Sequence, residues 1–234
     1  WANRGARRFT NLKLHTKIML IGTVTLIAIG AIIILGVEWG NPKTLGPLPV
    51  WEKVMASLFQ SVTPRTAGIA TIDYSSLHPI TLFVSIILMF IGAGPNSTGG
   101  GVKISTVAVA FLSARTLFNN RSDVEVFERR LSIVTVMKAN GIIFLSLLIV
   151  LLATCYLAWD EPYDFIRILF EVMSAFGTVG LTTGITPDLS DSSKWVLMLV
   201  MFTGRVGVMT VIGTWALKTA PMKPIGYAEE NVLL

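Results

Sequence analysis

Two short stretches rich in threonine and glycine carry residue types that could bind a cation. Thr66, Ala67 and Gly68 form the first stretch, called loop A, and Thr178, Val179 and Gly180 form the second, called loop B. Glycine does not continue a helix cheaply, and at membrane depth such bare backbone is tolerated only beside protein or water. Its carbonyl oxygens can then replace the water around a cation. On composition alone, an ordinary loop between two helices is the commoner explanation for either stretch.

The sequence around each loop adds to the cation hypothesis. Loop B contains Thr-Val-Gly, the core of the potassium filter motif, with Leu181 in place of the motif's tyrosine. Before loop A, Pro64 prevents the preceding helix from continuing. Gly68 and Gly180 lie 112 residues apart, at matching points of two similar halves of the chain. This recurrence favours a filter over two unrelated loops.

A third stretch, residues 92–101, is called the glycine-rich break. The residues that could form a gate are Gly92, Gly94, Pro95, Asn96, Ser97, Thr98, Gly99, Gly100 and Gly101, with Lys103 shortly after them. Five glycines and one proline within ten residues cannot remain helical in the middle of an apolar span. A mobile gate is the functional interpretation, and a static loop between two short membrane segments is the alternative. Lys103 should face water or an acidic partner, because a charge is costly in lipid.

Arg205 stands inside the last apolar run, where a permanent cation costs roughly 2.5–3.5 kcal/mol on insertion scales. Its side chain should therefore point into the protein. Below a cation filter it would oppose passage of the ion, and it could hold the break closed by hydrogen bonds to backbone carbonyl oxygens. An arginine that only packs two spans, by binding carbonyl oxygens at a helix end, explains the position equally well.

The composition of the chain places these stretches in a membrane. Of its 234 residues, 53% are hydrophobic and only 14% are charged, which is rare in a water-soluble domain. The net charge of +5 does not indicate nucleic-acid binding, because the basic residues cluster beside hydrophobic runs as they do in cytoplasmic loops. A single cysteine, Cys155, excludes a disulfide scaffold, and His15 and His78 form neither a metal pair nor a catalytic pair. The sequence indicates no enzyme site.

Apolar runs and their spacing predict seven helical segments. In chain order they cover residues 18–37, 50–62, 77–91, 102–117, 133–159, 165–176 and 195–217. The second and third of these are separated by loop A, and the third and fourth are the two halves of the broken span. Segments 50–62 and 165–176 are too short to cross a bilayer, so they predict re-entrant helices that end in loops A and B.

The order of the segments predicts an all-α membrane protein with two tandem repeats of helix, pore helix, filter and helix. The predicted divisions are a cytoplasmic loop at residues 1–16, repeats at 17–120 and 121–218, and a C-terminal tail at 219–234. Twelve of the nineteen Lys and Arg residues fall in the start, the central loop and the tail, while nine of the fourteen acidic residues fall on the other side or in the re-entrant segments. Both termini are therefore expected in the cytoplasm, and both loops are expected to face outside.

Together these motifs resemble the Trk/Ktr/HKT superfamily of potassium transporters, above all the bacterial Ktr membrane subunits. The resemblance rests on residues 61–68, 92–103, 177–180 and the pair Gly204 and Arg205, and it covers essentially the whole chain. It implies a pseudo-fourfold, cation channel-like fold of four repeats around one pore, in which Gly68 and Gly180 belong to repeats three and four. It also implies that the break is the intramembrane gate, with Arg205 beneath it, and that the function is potassium uptake across a bacterial plasma membrane.

The resemblance has implications for partners as well. Only two repeats are present, so it implies a missing N-terminal half that carries two further repeats; two copies that close the ring are the alternative. Family members form homodimers on a cytosolic ring of nucleotide-binding RCK-type regulatory subunits, similar to KtrA. K+ is the expected ion in the pore, with Na+ as a further candidate, and nucleotide would act only through the partner subunit. No covalent cofactor, and no metal ion beyond K+ in the filter, is expected.

Two other functions fit the same sequence. A secondary transporter of different fold would use the broken helix as its substrate site, with substrate-sized volume beside Pro95 and no aligned carbonyl oxygens. A structural membrane subunit with no pore of its own is compatible with a chain of only two repeats.

Overall fold

The computed structural model describes residues 12–94, 99–119, 124–126, 129–208 and 210, and helices dominate them. The helices are α1 (Leu14–Glu38), α2 (Val50–Val62), α3 (Pro79–Phe90), α4 (Ile104–Phe118), α5 (Ile133–Asp160), α6 (Phe165–Gly177) and α7 (Asp191–Val206). Two pairs of two-residue strands complete the regular structure: β1 (Ile91–Gly92) with β2 (Val102–Lys103), and β3 (Glu125–Val126) with β4 (Arg129–Arg130). The predicted helical class is confirmed, and the strand pairs were not predicted.

Two of the helices are long and apolar enough to cross a membrane. Helix α1 has 25 residues and α5 has 28 residues. At a rise of 1.5 Å per residue they span about 37 and 42 Å, more than the ~30 Å hydrocarbon core of a bilayer. They contain the predicted runs 18–37 and 133–159. Helices α2 and α6 have 13 residues each, about 20 Å, and cannot cross.

The predicted break in the middle span is present. Helix α3 ends at Phe90 and α4 begins at Ile104. Between them β1 and β2 pair in parallel, Ile91 opposite Val102 and Gly92 opposite Lys103, so the two ends of the break are joined by backbone hydrogen bonds. Pro95, Asn96, Ser97 and Thr98 lie outside the described residues, as do residues 1–11, the predicted end of the last span at 211–217 and the tail at 219–234.

The main hydrophobic core surrounds α6. Its largest fully buried side chains include Phe170 and Phe176 of α6, with Met89 of α3 and Leu157 of α5 packed around them. Every residue from 170 to 177 is buried. The part of the short helix that leads into loop B is therefore held within the protein interior.

Helix α2 differs from α6 because its buried side is polar. Lys53, Ser57, Gln60 and Ser61 are its buried residues, while the apolar residues that predicted the helix are exposed on the other side. Ser61 Oγ donates to the Ile27 carbonyl oxygen of α1 at 2.9 Å. Gly30 permits this close approach, since a Cβ there would lie 2.4 Å from Ser61 Oγ. The contact between α1 and α2 thus rests on small and polar residues.

Candidate functional site

Loops A and B, which are distant in sequence, meet in the structure. A Cβ atom added at Gly68 would lie 1.9 Å from the carbonyl oxygen of Val179, closer than any real contact. Only glycine at this position leaves room for that oxygen. The two loops therefore touch backbone to backbone, with a carbonyl group at the point of contact.

The backbone of the two loops has the same unusual conformation. Thr66 has φ 75° and Thr178 has φ 52°, and among the described residues they are the only non-glycine residues with positive φ. Two positions later, Gly68 has φ 69° and Gly180 has φ 91°. The left-handed region costs a residue with a Cβ roughly 1–2 kcal/mol, and more strain is expected for a β-branched one. Such strain persists only where the surroundings impose it, and it often marks a functional site.

The elements after the loops keep the same spacing. A 3-10 turn at Tyr74–Ser76 follows loop A and another at Thr186–Asp188 follows loop B, with 112 residues between them. Helix α3 begins at Pro79 and α7 begins at Asp191, again 112 residues later. Loop, turn and helix thus recur in register in the two halves of the chain.

Local hydrogen bonds engage the amide groups of the loops but not their carbonyl groups. The amides of Ala67 and Gly68 both donate to the Thr63 carbonyl oxygen at 3.1 Å, and the Val179 amide donates to the Ser174 carbonyl oxygen at 2.9 Å. Within the described residues, none of the six carbonyl oxygens of loops A and B accepts a hydrogen bond. These six carbonyl oxygens are therefore left as acceptors for an outside ligand.

The glycine-rich break lies directly against both loops. The amide of Gly100 donates to Thr178 Oγ1 at 2.9 Å. A Cβ at Gly99 would lie 2.7 Å from Thr66 Oγ1. The two matched threonines therefore both contact the end of the break, and neither glycine can be enlarged without displacing them.

The two predicted cations of the gate behave differently. Lys103 Nζ donates to the Gly99 carbonyl oxygen and so ties the break to the start of α4. Arg205, in the last turn of α7, is exposed and lies near enough to Lys103 for the two charges to repel. In the part of the chain that the structure describes, Arg205 makes no hydrogen bond with the break. The bond that the sequence suggested for Arg205 is made by Lys103.

Glu171, which was not predicted from the sequence, is a buried carboxylate that holds the segment after loop B. Its Oε1 accepts hydrogen bonds from the Thr182 hydroxyl at 2.8 Å and from the amide and hydroxyl of Thr183 at 2.8 and 3.0 Å. Its Oε2 accepts from the Thr186 hydroxyl at 2.6 Å. A single acid within an apolar helix, followed by the three threonines at 182, 183 and 186 beyond loop B, was the signal that could have identified it.

A cavity of about 490 Å3 opens beside loop B. Its lining includes Glu171, Thr178, Gly180, Thr182 and Leu197. Gly180 is exposed there, with no atom within 4 Å of the position a Cβ would take. One side of loop B thus faces open space, whereas its other side is closed by Gly68.

No group of three or more His, Cys, Asp or Glu residues that could hold a metal ion occurs among the described residues. His78 serves as the N-cap of α3, where its Nδ1 accepts from the Ile80 amide at 3.3 Å. His15 lies at the start of α1. The polar atoms that loops A and B themselves present are backbone carbonyl and threonine hydroxyl oxygens.

Comparisons with known proteins identify the relatives of this chain. The Ktr system potassium uptake protein B of Bacillus subtilis (strain 168) is 41% identical over 210 residues, which are 90% of this chain and 47% of the relative. The protein of the same name from Vibrio alginolyticus is 40% identical over 225 residues, covering 96% of this chain and 49% of the relative. The chain thus spans about half the length of these curated relatives.

A solved structure shows the shared fold. The potassium transporter TrkH from Vibrio parahaemolyticus superposes with a TM-score of 0.69 at 19% identity, over 88% of this chain and 44% of that one. The sequence profile of the TrkH family, described as cation transport protein, matches residues 4–222. The chain is a membrane protein, and it belongs to the TrkH family of cation transport proteins.

Proposed function

We propose that this chain forms half of a potassium-selective uptake pore in a bacterial plasma membrane, with loops A and B as two parts of its filter. One observation carries the proposal: the loops meet at Gly68 and Val179, and within the described residues their six carbonyl oxygens accept no hydrogen bond. A cation that loses its water needs such oxygens on several sides. The relatives are named as potassium uptake proteins, which supports K+ as the ion.

Two loops cannot surround an ion, so the proposal requires two more. The relatives are about twice as long as this chain, which supports two further units in sequence that precedes it. Each unit then consists of a crossing helix, a pore helix, a filter loop and a second helix, arranged around a pseudo-fourfold axis. In this chain the units are residues 17–120 and 121–218, with the segment 1–16 and the tail 219–234 in the cytoplasm.

The glycine-rich break is proposed as the gate beneath this filter. Its contacts with Thr66 and Thr178 support that role, because any movement of Gly99 or Gly100 must change the surroundings of both loops. Lys103 fixes the break through the Gly99 carbonyl oxygen, and Arg205 adds a second positive charge beside it. Two cations below a filter oppose the exit of K+ by Coulomb repulsion until the break moves.

The partners are also part of the proposal. The relatives are components of a named Ktr system, which supports an assembly of more than one kind of subunit. We expect a homodimer of the complete membrane subunit on an RCK-type cytosolic ring, with nucleotide acting only through that ring. Na+ is a further candidate for the ion in the pore.

Substitution of the two glycines in the native full-length polypeptide tests the filter. Gly68→Ser should reduce the K+ over Na+ selectivity of uptake by at least about tenfold, equivalent to about 1.4 kcal/mol, because the new side chain displaces the Val179 carbonyl group. Gly180→Ser should have a smaller effect, since space is available and only the backbone conformation at φ 91° is strained. Gly36→Ala, which has no atom within 4 Å of the new methyl group, is the control.

The result also separates the rival functions. Unchanged selectivity in Gly68→Ser and Gly180→Ser, with transport intact, would reject the filter and favour a secondary transporter. Transport that proceeds without this chain would favour a structural subunit. Shortening the break should raise flux through a gate, while a fall or no change in protein that is still inserted argues for a static loop.

A further inference from the structure

A second cavity, of about 370 Å3, lies between α1, α4 and α5. This volume falls within the ~300–1,000 Å3 range of small-molecule sites. Ile18, Val109 and Ile142 contribute to an apolar interior, while His15, Thr135 and Lys138 contribute polar groups. An apolar slot with a polar opening is suited to an amphipathic ligand.

The polar opening carries one full positive charge, on Lys138, with the imidazole of His15 as a further hydrogen-bond donor. Lys138 and His15 are exposed, and within the described residues neither forms a hydrogen bond or an ion pair. No acidic side chain lines the cavity. Thr135 stands in the first turn of α5, where the amide groups of a helix present a partial positive charge. An anion is therefore favoured at the opening.

The polar and apolar parts are ordered along the membrane-crossing helices. Helix α1 begins at Leu14 and α5 begins at Ile133. His15 is in the first turn of α1, and Lys138 is about 8 Å along α5, within reach of the membrane surface for a lysine side chain. Ile142 lies about 14 Å along the same helix, farther from the helix start than Lys138.

We propose that this cavity binds an anionic phospholipid, with its phosphate group between His15 and Lys138 and an acyl chain along Ile18, Val109 and Ile142. Basic pockets between membrane helices are suited to such headgroups. Ser105 and Thr106, in the first turn of α4, also line the cavity. A bound lipid therefore contacts the helix that follows the glycine-rich break.

A neighbouring cavity of about 410 Å3 provides a comparison within the same protein. It also lies along α1 and shares Ile18, but its charged lining residues are Arg115 and Glu125. Opposite charges at one opening give no preference for an anion. Charge complementarity thus distinguishes the first cavity from an equally large apolar neighbour.

Native mass spectrometry of the purified full-length protein tests the proposal. We expect dioleoyl phosphatidylglycerol to bind more tightly than dioleoyl phosphatidylcholine, and the preference to fall about fivefold or more when the Lys138 charge and the His15 hydrogen-bond donor are removed together. The variant is His15→Gln with Lys138→Gln, two exposed positions where the fold should be unaffected. The matched control is Arg115→Gln in the neighbouring cavity, which should keep the wild-type preference.

Three results would overturn the proposal. The first is equal binding of the two lipids by the wild-type protein, as expected if other protein fills the cavity. The second is an unchanged preference in the double variant. The third is displacement of phosphatidylglycerol by millimolar inorganic phosphate, which would indicate a site for free anions rather than for a lipid chain.

Discussion

Helices α2 and α6 lead into loops of the same geometry from very different surroundings. Helix α6 is enclosed by α3, α5 and α7, and its last eight residues are all buried. Helix α2 packs its polar side on α1 and leaves apolar residues such as Trp51 and Met55 exposed. The left-handed threonine and the glycine two positions later are nevertheless the same in both loops. Loop conformation is therefore conserved between the halves where the supporting protein is not.

The anchors of the two loops differ in charge. Glu171 of α6 accepts hydrogen bonds from Thr182, Thr183 and Thr186. Gln60 of α2 donates to Thr71 Oγ1 at 3.4 Å and accepts from the Tyr74 hydroxyl at 2.5 Å. Thr71 and Thr183 are 112 residues apart, so an anchor from each short helix reaches the same position of its unit. A carboxylate holds the buried unit, and a neutral amide holds the exposed one.

The starts of α3 and α7 are joined to the ends of the preceding long helices in the same way. The amide of His78, at the start of α3, donates to Glu38 Oε1 at 2.8 Å, and the amide of Ser190, at the start of α7, donates to Glu161 Oε1 at 2.8 Å. Each acid stands at the end of a long crossing helix. The halves therefore differ at their loop anchors rather than in how their helices are joined.

The largest effect is expected from Glu171→Ala. It would leave the Thr183 amide and three hydroxyls without their acceptor, so the free energy of unfolding should fall by roughly 3–5 kcal/mol. Denaturant unfolding of the purified protein in detergent measures this loss. Glu52→Ala, at an exposed acid of α2, is the control and should change stability by less than about 0.5 kcal/mol. A loss below 1 kcal/mol for Glu171→Ala would mean that loop B does not depend on its anchor.

Gly204→Ala should be next in size. The added methyl carbon would lie 1.9 Å from the Phe176 carbonyl oxygen, so α7 must move away from the end of α6. Overpacking of this kind costs about 1–3 kcal/mol. The same unfolding experiment detects it, with Gly141→Ala in α5 as a control that has no atom within 4 Å. Equal stability of the two variants would contradict the close packing of α7 on α6.

Gln60→Ala should cost less than Glu171→Ala, because its two hydrogen bonds join neutral groups. We expect a loss of about 1–2 kcal/mol, mainly from the buried Tyr74 hydroxyl left without a partner. Adding Tyr74→Phe to Gln60→Ala removes the unpaired hydroxyl, so the double variant should regain most of the lost stability. The comparison between the halves fails if Gln60→Ala is as damaging as Glu171→Ala.

The smallest effect concerns the turns after the loops. Asp73 caps the turn after loop A, and hydrogen bonds from the Ser75 hydroxyl and amide hold its pKa below the usual value. Ile185 occupies the matching position after loop B, and its apolar side chain cannot accept a capping hydrogen bond. Since the folded-state pKa is lowered, this stabilisation is present above about pH 3.9 and is lost as pH falls through the folded value.

The free energy of unfolding falls between pH 7 and pH 3 as carboxylates become protonated, and Asp73→Asn should make this fall slightly smaller. The difference should be below about 0.5 kcal/mol, because the Asp73 side chain is exposed. Unfolding midpoints at pH 7 and pH 3 measure it. An identical dependence on pH in the wild-type protein and in the variant would show that the cap contributes nothing.

Much of the backbone could be predicted from the sequence. The run 50–62 coincides with α2, and the breaks at Pro64 and at residues 92–101 follow from glycine and proline chemistry. Helix α7 begins four residues before the predicted segment 195–217, at Asp191, because Ser190 caps it through the Ser193 amide at 3.2 Å. Apolar runs, breaks and caps depend only on residues close together in the sequence, so they can be predicted from it.

Contacts between distant residues could not be predicted in the same way. The hydrogen bond from Lys103 to the Gly99 carbonyl oxygen depends on the conformation of the break. That conformation depends in turn on the pairing of β1 with β2. The apolar residues of α2 predicted a helix correctly but not that they would face outward. The meeting of Gly68 with Val179 likewise depends on the packing of α3 against α6, which no local pattern encodes.

Anomalous scattering from Tl+ tests most directly whether loops A and B line one ion path. Crystals of the native full-length transporter would be grown with Tl+ in place of K+. We predict a peak between the loops, coordinated directly by the carbonyl oxygens of Ala67 and Val179. Peaks confined to other parts of the protein, with these two oxygens packed against side chains, would contradict the account.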